Sequence, residues 1–450
     1  MGKSPVTDLT QGAITQTLLR FTFPMMIGTL LQQCYNLADT LIVGQFIGAS
    51  ALAAVGSAYT LIVFLTSVVL GLSMGCCTVF SIHYGANRPD VLRQSIFVAF
   101  TLVGAVALGL NIAIYAGMDA LLRFLQVPAD VYEPMYHYLW IVCSGFMFVF
   151  LYNFLAALLR AIGDSVTPLR FLALSVVLNI LLDLFCIVVL DWGLAGAAWA
   201  TVAAQIIAAL GLTIHVYKNH PELCWQREDM KFSRTISKDI LAFSSLTCIQ
   251  QSVMNFGILL VQGLINSFGT AVMAAFAIAV KIDSFAYMPV QEFGNAFSIF
   301  VAQNFGAKQP ERIRRGTRNA LLVTVCFSLL LSLVVVACAR PLMLLFISPS
   351  ETEIIAIGVT YLRIEGAFYV GIGILFLLYG YYRAVRRPGM SVVLTVISLG
   401  TRVALSYYLV SVPGIGLEGI WWSIPVGWLL ADLTGFWYYR KTIQSKSSSL

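Results

Sequence analysis

Gln32-Gln33-Cys34-Tyr35-Asn36-Leu37-Ala38-Asp39 interrupts the first long apolar stretch of the chain. On a helix, Asp39 shares a face with Asn36, Tyr35 and Gln32, which lie three, four and seven residues back. A charged side chain at the centre of a bilayer costs at least about 2.5–3.5 kcal/mol, so it must face a protein interior or a water-filled cavity. The chemistry such a stripe offers is reversible capture of a proton or cation. Asn179 and Asp183 suit the same work. They lie four apart on one face of a later apolar stretch, and Thr201 falls one to two turns into the next. Two carboxylates in one dry site cannot both ionise cheaply, so they hold a proton or a cation between them. Asn and Thr oxygens complete a hard-ion shell that suits Na⁺. The expected set for a coupling ion, H⁺ or Na⁺, is therefore Asp39, Asn179, Asp183 and Thr201. The alternative is that the two acids only hydrogen-bond between helices and stiffen the bundle.

A second set is expected to line a cavity for a drug-sized molecule. It comprises Gln32, Tyr35, Asn36 and Asn153, and, further on, Gln251, Met254, Asn255, Tyr287, Met288, Gln291 and Glu292. Methionines add adaptable apolar surface. Polar side chains at such places serve equally well as glue between helices. Glu292 reads as a lone acid deep in a span, a further candidate for protonation or for holding a cationic substrate. Lys281, Asp283, Glu365, Arg402 and Asp432 are expected to neutralise one another across helices.

These residues must be positioned by membrane-spanning helices. The chain has 450 residues, 59% hydrophobic and only 11% charged, with mean hydropathy +0.86. A soluble domain carries about 25% charged residues. A span takes roughly 20 apolar residues, and twelve are read: 17–45, 51–80, 92–116, 134–158, 166–190, 194–217, 239–266, 271–303, 317–338, 354–381, 390–411 and 417–439. No cleavable signal peptide is evident, because the first span is too long and begins too late. Of the 27 Lys and Arg, 22 fall on one side of this arrangement, Arg123 and Arg340 on the other, and Lys281, Arg363 and Arg402 within spans. The positive-inside rule then places both termini in the cytoplasm. The net charge of +6 therefore sits in short loops and implies no nucleic acid. The nine cysteines form no C-x-x-C pair and are mostly inside spans, where packing is their expected role.

The two halves repeat. Gly48 with Ala53-Ala54 recurs as Gly269 with Ala274-Ala275, and Gly85-Ala86-x-x-Pro89-x-x-x-Arg93 as Gly306-Ala307-x-x-Pro310-x-x-x-Arg314, both 221 residues on. Arg160-Ala161 matches Arg383-Ala384, and Gly193-Leu194-x-Gly196 matches Gly416-Leu417-x-Gly419, both at 223. Such self-similarity reads as a duplication. Because six helices return the chain to its starting side, the copies are parallel, with a cleft expected between them that rocks open to either face. The expected architecture is an all-α membrane protein of twelve transmembrane helices in two pseudo-symmetric six-helix bundles around a central cleft. The N-lobe is 1–217, a basic cytoplasmic linker 218–238, and the C-lobe 239–450. Shared residues read as scaffold, with Gly85-Ala86 and Gly306-Ala307 expected to cap their helices. Residues confined to one half are candidates for specialised work: Asp39, Asn179, Asp183 and Thr201 correspond to Leu260, Arg402, Ser406 and Ile424. Asp183 lies about 25 Å from the cytoplasmic end of its helix at 1.5 Å per residue, so all four can meet in the outer half of the N-lobe.

The repeat with its Gly-Ala-x-x-Pro loops, the aspartate of the first helix, and Arg160-Ala161-x-Gly163-Asp164-x-x-x-Pro168 resemble the multidrug and toxic compound extrusion (MATE) transporters over nearly the whole chain. The resemblance implies two six-helix lobes that exchange cationic or amphipathic drugs for H⁺ or Na⁺. It is similar to the DinF-like branch, whose N-lobe cation cluster of Asp, Asn, Asp and Thr corresponds to Asp39, Asn179, Asp183 and Thr201. Gln32 and Tyr35 match that branch's cavity positions. The NorM-like branch uses a glutamate in the seventh helix, where this chain reads Cys248-Ile249-Gln250-Gln251-Ser252.

The expected function is therefore a multidrug antiporter of the cell (inner) membrane, acting by alternating access on small organic substrates as a monomer, with no cofactor beyond the coupling ion. Occupancy of the acid pair is expected to straighten or bend the first helix near Pro24 or Gly28. A flippase for lipid-linked oligosaccharides is the rival within the same superfamily. It calls for a strongly cationic cavity, whereas the clearest cluster here is acidic. A membrane enzyme finds no support, since no H-E-x-x-H, nucleophile elbow or P-loop occurs. A major-facilitator transporter would carry an Asp-Arg-x-Gly-Arg-Arg loop where this chain has Tyr84-Gly85-Ala86-Asn87-Arg88-Pro89-Asp90.

Overall fold

The computed structural model describes residues 6–124, 127 and 129–447; for 49, 50, 52, 53, 57, 60, 124, 129, 130, 258, 259 and 442–447 it describes the backbone only. Lys3, one of the basic residues used for topology, lies outside the described residues. In chain order the helices are α1 (Ile14–Phe46), α2 (Ala49–Gly85), α3 (Pro89–Phe124), α4 (Ala129–Ser144), α5 (Phe146–Ala161), α6 (Val166–Leu184), α7 (Gly193–Asn219), α8 (Arg234–Asn266), α9 (Thr270–Gly306), α10 (Pro310–Ala337), α11 (Ala339–Leu344), α12 (Thr352–Gly366), α13 (Tyr369–Ala384), α14 (Pro388–Ser411) and α15 (Glu418–Ser447). No strand occurs among the described residues.

Among the described residues, eight helices are long and apolar enough to cross a membrane alone: α2, α3, α6 with the turn that follows it, α7, α8, α9, α10 and α14. The fourth and tenth spans are each a pair of helices. Val131–Ser144 with Phe146–Ala161 bends by 45°, and Thr352–Gly366 with Tyr369–Ala384 by 51°. The remaining two, α1 and α15, have 33 and 30 residues. They have the length but not the apolarity, because the Gln32–Asp39 stripe and Glu418, Asp432 and the tryptophans dilute them. Together these make the twelve spans expected from hydropathy. The two bends are corrections to the straight spans 134–158 and 354–381. At both breaks the helical ladder tightens from i→i−4 to i→i−3 bonding, from Gly145 N to Val142 O at 3.0 Å and from Phe368 N to Glu365 O at 3.0 Å.

The chain divides into two compact units, one of residues 1–12, 19–248 and 306–308, the other of 13–18, 249–305 and 309–450. The repeat is written in their backbones. Gly48 and Gly269 have φ of 113° and 97°, Asn87 and Lys308 53° and 56°, Gly163 and Arg386 95° and 63°, and Gly193 and Gly416 both 55°. Each pair is 221 or 223 residues apart, so duplication preserved the turn geometry even where the residue changed. This corrects one expectation: α2 is closed by Ala86 in the right-handed region, and the left-handed residue beyond it is Asn87 rather than a glycine. Gly306 is instead required by close packing, since a Cβ there would lie 2.0 Å from Ile82 O.

The stretch after α7 is packed as part of the first unit. Trp225 meets the rings of Phe97 and Phe100 at 6.0 and 5.5 Å, and Phe232 meets Phe97 at 5.7 Å. Arg93 Nε donates to Asp229 Oδ2 at 2.9 Å and Gln94 Nε2 to Lys231 O at 2.8 Å. The segment read as a linker is thus strapped along α3. In the second unit, Asn319 Nδ2 donates to Thr15 Oγ1 at 3.0 Å, and in the core Phe276 stacks on Trp421 while Tyr361 meets both rings edge to face. All nine cysteines are free; Cys76, Cys77, Cys143 and Cys186 are buried, while Cys34, Cys326 and Cys338 are exposed.

Candidate functional site

The first unit brings its four expected ion residues together. Asp183 and Asn179 sit one turn apart on α6 and Thr201 on α7, with exposures of 0%, 2% and 8%. Helices α6 and α7 pack along one another, which presents Thr201 to Asn179. With the Asn179 amide oriented to satisfy both of its groups, its nitrogen donates to Asp183 Oδ2 at 2.9 Å, and its oxygen accepts from Thr201 Oγ1 and N, each at 3.3 Å. Asp39, half-buried on α1, completes the group: its carboxyl and that of Asp183 lie within hydrogen-bonding range of each other. Two carboxyls at that range need a proton or a cation between them. No donor reaches the Oδ1 of either.

Phenols close the site. Tyr35, one turn before Asp39, lies within electrostatic reach of Asp39 and Asp183, and Tyr138 of α4 within reach of Asp39, Tyr35 and Asp183. Tyr138 is only 6% exposed. Sequence reasoning missed it, because α4 carries several tyrosines and nothing in their spacing singles out one. The sequence also gave no sign of the π-helical turn Phe185–Val189, which begins two residues after Asp183. Such turns widen a helix by one residue and occur often at functional sites.

The other cavity residues of this unit are dispersed around the stripe. Asn36 Nδ2 donates to Tyr59 OH at 3.4 Å, tying α1 to α2. Asn153 Nδ2 donates back to Val149 O of its own helix at 2.8 Å. Gln32 is half-buried.

The start of α1 is held independently. Ser165 Oγ donates to Phe21 O at 2.7 Å, and Thr7 N donates to Gly163 O at 3.0 Å. Asp164 caps α6, accepting from Val166 N at 3.1 Å, Thr167 N at 2.9 Å and Thr167 Oγ1 at 2.6 Å. The Gly163-Asp164-Ser165 turn that ends the Arg160-Ala161 motif is therefore the clamp that holds the start of α1 and the segment before it. Pro24, which lacks an N–H, follows the clamp within α1, and Gly28 faces Leu172, whose Cδ2 a Cβ would meet at 3.6 Å.

In the second unit no acid occupies the equivalent place: Ser406, the counterpart of Asp183, shares a hydrogen bond with Ser423 at 2.7 Å, and Arg402 stands where Asn179 does. Gln251, Met254, Asn255, Tyr287, Met288, Gln291 and Glu292 are all half-buried, and the ring of Tyr287 leans on Phe376 at 6.4 Å. Glu292 is not the lone acid its sequence setting suggests. It accepts from Asn295 Nδ2 at 3.3 Å, and Asn295 Oδ1 accepts from Arg383 at 3.1 Å. Arg383 also reaches Ser298 Oγ at 3.3 Å.

The expected neutralisation of the remaining ions occurs only in part. Asp283 accepts from the hydroxyls of Tyr369 and Tyr361 and meets the Glu365 carboxyl, with Arg402 in electrostatic reach of Glu365. Lys281 is exposed, and Asp432, 6% exposed, keeps one oxygen without a partner. Phenols, which the sequence reading did not consider for this role, satisfy Asp283.

Two copies of one family model lie on this framework. The MatE model matches residues 24–185 and 246–408. The chain belongs to the MATE family. The two matches begin 222 residues apart and end 223 apart, the interval of the repeat in sequence and backbone. This MATE protein is a multi-pass membrane transporter and not an enzyme. It is 30% identical over 440 residues to the probable multidrug resistance protein YpnP of Bacillus subtilis strain 168, covering 96% of each chain. Its fold is that of a MATE crystal structure in a bent conformation, at a TM-score of 0.92 and 23% identity over 100% of both chains. A MATE structure in a straight conformation matches at a TM-score of 0.91 and 23% identity, over 99% of this chain and 100% of that one.

Proposed function

We propose that this MATE protein is a multidrug exporter that exchanges organic cationic or amphipathic compounds for H⁺ or Na⁺ at the Asp39–Asp183 pair. The observation that carries the reading is the direct approach of those two carboxyls, with Asn179 and Thr201 as neutral partners. A site of this kind binds a proton or a monovalent cation and lets it go. A permanent ion pair with Lys or Arg would serve only structure, and among the described residues neither acid makes one. The name of the relative YpnP supports multidrug efflux as the use of that exchange.

The coupling ion enters the pair from the outer side of a cell membrane in which both termini are cytoplasmic. Ion capture pulls α1 toward α6 through Asp39. The start of α1 stays clamped at Phe21 by Ser165, so the displacement is absorbed at Pro24 and Gly28. Tyr35, Asn36 and Gln32 ride on the moving part, and the interior surface they present to a substrate changes with ion occupancy. Capture of the ion and loss of substrate affinity become one event, which is what antiport requires. The transporter works as a monomer.

The test is efflux of a cationic dye by an Asp39→Asn variant in vesicles with pH and Na⁺ gradients imposed separately. The parent responds to one of the gradients and the variant to neither. A variant whose gradient-driven efflux matches the parent's removes Asp39 from the mechanism.

A further inference from the structure

The second unit carries a groove that the transport reading leaves unused. It is an open groove formed by α9, α10, α13 and α15, with a volume of about 40 Å³, and is lined by Phe297, Thr317, Leu321, Ile374, Leu378 and Tyr439, among others. Along α13 it runs from Tyr381 back to Ile374, about 10 Å at 1.5 Å per residue. Its exposed lining is wholly apolar. One end lies where α10 begins and α13 and α15 end, the side that carries the basic loops. There the rings of Tyr381 and Tyr439 meet edge to face at 5.1 Å, as in the aromatic belt at a membrane interface.

Arginines flank those two rings. Arg314 is within electrostatic reach of Tyr439, and Arg387 within reach of Tyr381. Arg387 lies over the ring of Tyr438 at 5.3 Å and donates to its hydroxyl. Arg314 and Arg318 stand one turn apart on α10, both exposed and, among the described residues, without an ion pair. An apolar channel with cationic groups and phenols at its interfacial end has the shape and charge of a phospholipid: chain below, anion above.

We propose that this groove binds an anionic phospholipid of the cytoplasmic leaflet. One acyl chain lies along Leu321, Leu378 and Ile374, and the phosphate sits between Arg314 and Arg387 beside the Tyr439 hydroxyl. The chain contributes through burial of methylenes and the arginines through charge. Neutral lipid enters the same groove more weakly, because it satisfies only the first requirement.

Native mass spectrometry of the full-length, delipidated protein tests this, with phosphatidylglycerol and phosphatidylcholine of identical chains. Phosphatidylglycerol binds more tightly. Arg314→Gln lowers its affinity about fivefold, the effect of one arginine near a charged surface, and leaves phosphatidylcholine unchanged. Leu321→Trp, which fills the groove, lowers both. Glycerol phosphate fails to compete, which separates a lipid site from a site for a free anion. A chain ending at Lys441 binds as the full chain does. Equal affinities for the two lipids, an Arg314→Gln variant that binds like the parent, displacement by glycerol phosphate, or binding seen only in the chain ending at Lys441 would each overturn the assignment.

Discussion

Replacing Asp183 with Asn tests the proposed ion site more sharply than any other change. The substitution is isosteric and keeps the residue buried between α6 and α7. Its new amide can donate to the Asp39 carboxyl, whose Oδ1 has no partner, and it removes the repulsion of two adjacent carboxylates. The folded protein should therefore be as stable as the parent or more so. Its ion chemistry should not survive. A monovalent cation about 4 Å from a carboxylate gains about 4 kcal/mol at an effective dielectric constant near 20. Removing one of the two carboxylates takes that away, which is about a thousandfold in affinity at about 1.4 kcal/mol per decade. For a proton the loss is in number, since a carboxamide does not titrate and the pair is reduced to a single acid. In either case dye efflux driven by an imposed gradient falls to the rate seen without one. The assay is proteoliposome efflux with pH and Na⁺ gradients applied in turn, with thermal unfolding run in parallel. A variant of undiminished stability that still responds fully to the gradient would refute the reasoning.

Further predictions concern parts that do not touch the ion. Gly163→Ala places a Cβ 2.2 Å from Thr7 O at a φ of +95°. The left-handed backbone alone costs about 1–2 kcal/mol, so the variant should show a lowered thermal midpoint and freer proteolysis of the N-terminal segment. Tyr369→Phe removes a hydroxyl that donates to the buried Asp283. It should cost about 1–3 kcal/mol, the usual loss for an abandoned buried acceptor, read as a drop in unfolding temperature. Cys338 is exposed at the end of α10, and Cys224 lies partly buried in the strap after α7. In intact cells a membrane-impermeant maleimide should modify Cys338 and spare Cys224; labelling of Cys224 alone would invert the topology.

Much of this architecture was legible in the sequence, because a bilayer forces long apolar helices and a duplication repeats its turns. The meeting of Asp39, Asn179, Asp183 and Thr201 could be foreseen for the same reason. Helix period and depth fix where a residue sits, and the contrast with the other half marks which residues are not scaffold. What escaped notice were features set by tertiary fit. Nothing local distinguishes Tyr138 from the other tyrosines of α4. The bend at Gly145 depends on how α4 and α5 pack against α7, where a Cβ would come 2.9 Å from Gln205 Oε1. Glu292 seemed alone because Arg383, which holds it through Asn295, is 91 residues further along the chain. The strap over α3 is basic and contains a proline, so it reads as solvated; its burial comes from the two aromatics Trp225 and Phe232.

The low apolarity of α1 has a consequence during synthesis. Its stripe makes it a poor passenger for lipid on its own, since translocon scales penalise an aspartate inside a span. The more apolar α2 and α3 behind it partition readily, and α1 must settle against them. The residue proposed to let the finished transporter work thus leaves its first helix dependent on its neighbours to enter the membrane at all.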